Sequence, residues 1–221
     1  LPNSRKLPKT ITILTTSRTN NLIKAVFFDL GNVLVKVNLE SAIPQIAELF
    51  RIPEKAVMQA PILALEKKFE RGQLTIAEYL VEVKNIYHTD HSISVDDLER
   101  IWQIPFELNT DVWQIALRLR RQVPLFLLSN TNTLHIRAIR RKFNILENMD
   151  GLILSFEVGA TKPEAAIYQY ALRKAEVTAE QALFIDDLEE NVAGAERLGL
   201  KAHQFISASD LENILSQYSF Q

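Results

Sequence analysis

The chain contains no cysteine, which excludes disulfide frameworks, thiolate zinc sites and a cysteine nucleophile, and is compatible with a reducing compartment. It has no long apolar run; nothing approaches the roughly 20 residues needed for a bilayer-crossing helix. It also lacks an excess of one charge. Twenty-five Lys and Arg stand against 27 Asp and Glu, a formal net charge of −2, so no general basic field exists for nucleic acid or anionic lipid. No internal repeat or low-complexity segment interrupts it. These absences predict a soluble protein that binds neither nucleic acid nor membrane. What is present is apolar material, 47% of 221 residues, enough for one domain with an insertion or for two small domains.

Residues 1–22 differ from the rest. Arg5, Lys6, Lys9 and Arg18 occur there without an acidic residue, among Ser, Thr and Asn. This stretch is expected to be a flexible extension outside the fold of a cytoplasmic protein; the same composition also fits an organelle transit peptide.

The chain is organised around Lys24–Val35. Ala25, Val26, Phe27 and Phe28 form an unbroken apolar run, the pattern of a strand buried on both faces in a parallel sheet. The run ends on Asp29, and Gly31-Asn32 then turns the chain. A carboxylate at the C-terminal tip of a central parallel strand lies where open α/β sheets place their chemistry.

From 39 to 105 apolar residues recur at spacings of three and four, predicting helices over 39–50, 54–70, 75–87 and 95–103. Thr75–Glu78 and Ser94–Asp97 have the form of capping boxes. Strand–helix alternation resumes near 109, with predicted strands over 123–128, 151–155, 182–185 and 201–206, and helices between them, one of them starting at Lys162. The fold class is therefore α/β, a doubly wound Rossmann-like parallel sheet with an inserted α-helical cap. The core is expected to span 23–38 and 106–221, and the cap 39–105.

Four ends converge in this scheme: Asp29, Ser129-Asn130, Lys162 and Asp186-Asp187. Each has a role if the substrate is a phosphate monoester. A carboxylate can attack phosphorus in line and form an aspartyl-phosphate. Anion then meets anion, so the site needs positive charge, which Mg²⁺ on oxygen ligands supplies. Lys162 adds a point charge, with Pro163 behind it suiting a first helical turn. Ser129 offers a hydroxyl, and the backbone N–H groups after it can face phosphate oxygens.

This arrangement resembles the haloacid dehalogenase (HAD) superfamily, over nearly all of residues 24–206. Phe28-Asp29-Leu-Gly-Asn-Val-Leu34, Leu128-Ser129-Asn130, Lys162-Pro163-Glu164 and Phe184-Ile-Asp186-Asp187 look like its four motifs in order. It is most similar to subfamily I, whose α-helical cap lies between the first two motifs, and within it to the bacterial α-glucose-1-phosphate phosphatases and the N-terminal phosphatase domain of epoxide hydrolases. The resemblance implies a Mg²⁺-dependent phosphatase, monomer or homodimer, acting on a small phosphorylated metabolite, a sugar phosphate foremost. It implies Asp29 as nucleophile and metal ligand, the Gly31 carbonyl and Asp187 as further ligands, and Asp186 orienting Lys162 or water at the metal. Lys162, Ser129 and the Asn130 backbone would hold the phosphate, and Asn191 would brace the loop of the fourth motif.

One position departs from that pattern. Most phosphatases of the superfamily carry a second aspartate, the general acid/base, two residues after the nucleophile; here it is Gly31. Glycine keeps the carbonyl and loses the proton donor. Activity is then expected to favour esters whose leaving oxygen is a weak base, such as an anomeric sugar oxygen. Two alternatives stand beside the phosphatase: a metal-independent 2-haloacid dehalogenase, which also lacks that aspartate, and a catalytically silent binding protein. Asp186-Asp187 counts against the dehalogenase, since two carboxylates without a cation would repel an anionic substrate. Phe69–Gln73 reads either as an inter-helix turn or as a specificity loop over Asp29, and His135 either as packing or as lining the site.

Overall fold

The structure, a computed structural model, describes residues 22–221. The extension expected over residues 1–22 falls outside that range except at its last residue, where the boundary needs correction. Leu22 begins a strand, β1 (Leu22–Ile23), which pairs in parallel with β9 (Ser219–Phe220) at the other end of the chain.

In chain order there follow β2 (Ala25–Phe28), β3 (Val35–Val37), α1 (Ile43–Phe50), α2 (Ala60–Glu70), α3 (Ile76–Tyr87), α4 (Val95–Ile101) and β4 (Phe106–Leu108). Then come α5 (Thr110–Leu119), β5 (Leu125–Ser129), α6 (Thr133–Lys142), β6 (Gly151–Leu154), α7 (Ser155–Val158) and α8 (Ala165–Ala175). The sequence closes with β7 (Ala182–Asp186), α9 (Glu189–Glu196), β8 (Lys201–Gln204) and α10 (Ala208–Leu215) before β9.

Five strands form a parallel sheet in the order β6-β5-β2-β7-β8. The continuous apolar runs have a simple cause. Val26 and Phe28, with Leu125, Leu127, Leu183 and Ile185, face a cluster completed by Val112 and Ile115 of α5, Ile136 of α6 and Leu211 of α10. Their neighbours Ala25, Phe27, Phe126, Leu128, Ala182 and Phe184 face a second cluster with Ile167 and Tyr168 of α8 and Val192 of α9. Alternation persists, but both faces are dry, so no polar residue marks it. β2 is central, and the chain proceeds to β5 on one side of it and β7 on the other. That is a topological switch point, and the crevice opens at the strands' C-terminal ends.

The helices α1–α4 bury a cluster of their own, including Phe50, Ile62, Phe69, Tyr79, Val83 and Leu98, into which Leu134 of α6 reaches. Pro44 and Pro61 stand in the first turns of α1 and α2, where a missing N–H costs nothing. Pro61 therefore splits the single helix expected over 54–70. Both capping boxes form. The passages between the helical block and the sheet are β3 and β4, which pair antiparallel. At three residues each they carry too little pattern for the sequence to announce them.

Candidate active site

Register brings the carboxylates together. Phe28 pairs with Leu127 on one side and Ile185 on the other, and the next residue, Asp29, still donates its N–H to Ile185 O at 2.9 Å. Ser129 is the last residue of β5 and Asp186 the last of β7. Into this cleft the turn before α8 delivers Lys162, buried and with all three ammonium directions used. Its Nζ lies 2.7 Å from Asp29 Oδ1, 2.6 Å from Asp186 Oδ2 and 3.0 Å from Leu128 O.

Burial pushes the Asp29 carboxyl up to about 6; Lys162 pulls it down, and Asp186 pushes it up again. Burial acts against the Lys162 ammonium as well, but the two carboxylates outweigh it and hold the lysine above its ordinary range. Asp186 is fully enclosed. Its Oδ1 accepts from Leu188 N and from Asn191 Nδ2, each at 2.9 Å, while Oδ2 faces Lys162. Asn191 is anchored in turn through its carbonyl, which accepts from Tyr168 Oη at 2.7 Å.

Asp187 is less buried. Its Oδ2 accepts from Asn32 Nδ2 at 3.1 Å. Asn32 adopts the left-handed conformation at φ 54°, and its Oδ1 accepts from Val37 N at 3.3 Å. The sequence signals this turn but not the contact across it. Asp29, Asp186 and Asp187 can each place one carboxylate oxygen within 4.8 Å of the others, and no other such cluster of three occurs among the described residues. Three carboxylates against one ammonium leave an excess of two negative charges. Hard oxygen donors with that charge fit a divalent cation such as Mg²⁺.

The second motif carries a contact that the sequence does not signal. The Asn130 side chain is committed to Lys162: Oδ1 accepts from Lys162 N at 2.7 Å and Nδ2 donates to Lys162 O at 2.9 Å. The next backbone N–H, of Thr131, is taken by Ser155 Oγ at 2.9 Å. The Ser129 hydroxyl has only a long contact, 3.4 Å, to Asn130 O. Nor does Lys162 start a helix. The helix begins at Ala165 with Glu164 at its N-cap, and Lys162 lies on a turn closed by Glu164 N donating to Thr161 O at 2.8 Å.

The loop after α2 docks on the core beside this turn. Arg71 is ion-paired with Glu164 and donates to Thr161 Oγ1 at 3.1 Å, while Ser155 Oγ donates to Glu70 O at 2.6 Å. Gly72 makes the approach possible: its φ is 67°, and a Cβ there would stand 2.1 Å from Phe156 O. Phe69–Gln73 is thus an inter-helix turn, between α2 and α3, that docks on the elements beside Lys162. On the far side of the helical block, buried Glu99 of α4 pairs with Arg137 and Arg141 of α6 at 2.8 and 2.5 Å. His135 packs edge-on against Trp102 and Phe106; burial pushes it down to about 4, so it is neutral at pH 7.

A profile of the haloacid dehalogenase-like hydrolases matches residues 23–199. The chain is 23% identical over 197 residues to D-ribitol-5-phosphate phosphatase of Bacteroides thetaiotaomicron, covering 86% of this chain and 95% of the relative. Among solved structures, a HAD family enzyme of Bacteroides thetaiotaomicron in complex with magnesium and inorganic phosphate superposes with a TM-score of 0.75 at 24% identity, over 87% of this chain and 99% of that one. A 2-haloacid dehalogenase from Pseudomonas syringae pv. Tomato superposes at 0.60 with 16% identity, over 88% and 99%.

Proposed function

The chain belongs to the haloacid dehalogenase-like hydrolase family, and on that premise we propose that it is a Mg²⁺-dependent phosphatase that cleaves a phosphate monoester of a small metabolite, a phosphorylated sugar or polyol, through an aspartyl-phosphate on Asp29. The observation that carries this reading is the clustering of Asp29, Asp186 and Asp187, the first two of them paired with one buried lysine. A dehalogenase displacing halide without metal has no use for the uncompensated negative charge, and a silent binding protein has no use for its enclosure. The ribitol-5-phosphate phosphatase supports the sugar or polyol, and Gly31 favours the anomeric ester of a sugar over the ordinary alkoxide of a polyol.

Asp29 supplies the attacking oxygen, held by Lys162 Nζ at 2.7 Å and aimed by the end of β2. Mg²⁺ bound by the Asp29 and Asp187 carboxylates and the Gly31 carbonyl would offset the charge that otherwise keeps two anions apart and keep Asp29 ionised. Asp186 and Asn191 fix the lysine, and Ser129 with the Asn130 backbone N–H faces the transferred phosphoryl group. In this reading residues 39–105 form a cap over a core of 23–38 and 106–221. Among the described residues no helix is long and apolar enough to cross a membrane.

The test is release of inorganic phosphate from p-nitrophenyl phosphate and from glucose 1-phosphate, with and without Mg²⁺. Mg²⁺-dependent turnover that disappears in Asp29→Asn supports the proposal. Chloride release from a 2-chloro acid without metal would replace it.

A further inference from the structure

The helical block encloses a cavity of about 400 Å³ that contains none of the catalytic carboxylates. This is far larger than a packing void and within the range of small-molecule sites. Its wall is almost wholly hydrocarbon, from residues such as Ile46, Phe50, Ile62, Val83 and Trp102. Its rim is unusual too. Leu39, Met58 and Leu63 line it while remaining 41, 43 and 44% exposed, and they are three of the eight large apolar side chains left open to water among the described residues. A cap that merely covered a sugar would have no reason to keep a greasy mouth.

The polar lining gathers toward the core. Glu66 is bonded to Tyr79 Oη, and its Oε2 accepts from Asn132 Nδ2 at 3.4 Å; His135 and Glu70 complete this end. Asn132 is three residues after Ser129, and Ser155 Oγ, which takes the Thr131 N–H at 2.9 Å, donates to the Glu70 carbonyl at 2.6 Å, so the polar end of the cavity is tied to the loop that follows Ser129. Burial raises both glutamates, Glu66 to about 7. Lys67 lines the cavity together with Glu66 and Glu70, so the charges there are of mixed sign, and it is the hydrocarbon wall that selects an uncharged group. The occupant is neutral.

We propose that this cavity receives a neutral hydrocarbon group carried by the substrate, so that the preferred ester is amphiphilic: a phosphorylated metabolite, sugar or polyol included, bearing an alkyl, isoprenoid or aryl portion. This rests on the phosphatase reading and refines its substrate.

The test is a series of 4-n-alkylphenyl phosphates from butyl to decyl, which share one phenoxide leaving oxygen that needs no proton donor and differ only in what the cavity would bury. KM is expected to fall about fourfold per methylene and then level off. Val83→Phe and Ile62→Trp, which fill the cavity, should reduce the decyl-to-butyl ratio of kcat/KM at least about tenfold, whereas Val81→Ala, on the exposed side of α3, should not. In the Asp29→Asn protein 1-decanol should quench Trp102 fluorescence, and in the wild type it should compete with 4-decylphenyl phosphate. A flat chain-length series, or a ratio untouched by both filling variants, overturns the proposal. So does decanol binding without competition, which would assign the cavity to a separate ligand. Absence of turnover for every ester, with decanol still binding, overturns it through the phosphatase premise and is told apart by that binding.

Discussion

Asn130 holds Lys162 by its backbone, accepting from its N–H at 2.7 Å and donating to its carbonyl at 2.9 Å. The side chain after Ser129 is therefore a brace for the buried Lys162, the cation of the proposed site. The pair ties the tip of β5 to the turn before α8 across 32 positions of sequence. Asn130→Asp keeps the acceptor, loses the donor and sets a like-charged oxygen against the Lys162 carbonyl; Asn130→Ala loses both contacts. Either should lower kcat by about 10²-fold, the order expected when a catalytic group shifts by an ångström, with KM changing less. Steady-state phosphate release measures this.

Asn32 and Asp187 form the corresponding relationship on the cation side, at 3.1 Å. Asp187→Asn removes a ligand charge and should raise the Mg²⁺ concentration for half-maximal activity by more than Asn32→Ala does, the latter by about 10- to 100-fold as is typical for an outer-shell partner. Without Mg²⁺, Asp187→Asn should be no less stable than the wild type, because like charges are separated at no cost in packing. Mg²⁺ titrations of activity and of melting temperature check both.

Glu66 sets a pH dependence within the helical block. Burial raises its carboxyl from 4.5 to about 7, with Tyr79 opposing. A carboxyl raised in the folded state binds its proton more tightly there than in the unfolded chain, so stability falls as pH rises from the unfolded value toward 7. Glu66→Gln keeps a group for Tyr79 to bond and removes the titration. Wild type and variant should match near pH 4, and the variant should gain on the wild type to about 3 kcal/mol above pH 7. Urea unfolding at pH 4, 6 and 8 reads the difference directly; a gap that narrows with pH contradicts the assignment.

Much of this was legible before folding because the chemistry sits at strand ends. Ala25–Phe28 followed by Asp29, and Ala182–Ile185 followed by Asp186, announce buried parallel strands that stop on acids, and the sheet aligns those stops. The contacts that steady the site were not legible. Asn32 to Asp187, Asn130 to Lys162 and Arg71 to Glu164 join segments 155, 32 and 93 residues apart, and side-chain amides and surface ion pairs leave no periodicity. β3 and β4 escaped for a different reason, being too short to show alternation. The cavity escaped because helical spacing reports which residues turn inward but not whether they meet.

Gly72 tests how far activity depends on the docked loop. Its left-handed φ and the 2.1 Å approach that a Cβ would make to Phe156 O cannot both be relieved without lifting the loop. Gly72→Ala should therefore break the Arg71–Glu164 pair and the Ser155–Glu70 bond together. The pair alone is half-exposed and contributes about 1 kcal/mol or less, so Arg71→Ala should cost little stability. Gly72→Ala should cost more, about 1–3 kcal/mol for the strained backbone, and should also raise KM. Thermal melts and kinetics on both variants separate the loop's position from its one ion pair.

Gly31 is where the proposed chemistry is most exposed to test. The glycine has an ordinary φ, and a Cβ placed on it would meet only Val37 Cγ2, at 3.6 Å, a normal contact. Nothing steric therefore prevents an aspartate there. If the site works with its electrostatic groups intact and without a proton donor for the leaving group, Gly31→Asp should restore that donor. Turnover of plain alkyl phosphates should rise by about 10²-fold or more, while p-nitrophenyl phosphate, whose leaving group needs no proton, should change little. The contrast between substrates carries the argument, because a general change in stability or metal affinity would move both together. Equal turnover of alkyl phosphates by wild type and variant would show that the proton already comes from elsewhere, and Glu70, a half-buried acid whose carbonyl is held by Ser155, would be the next residue to replace.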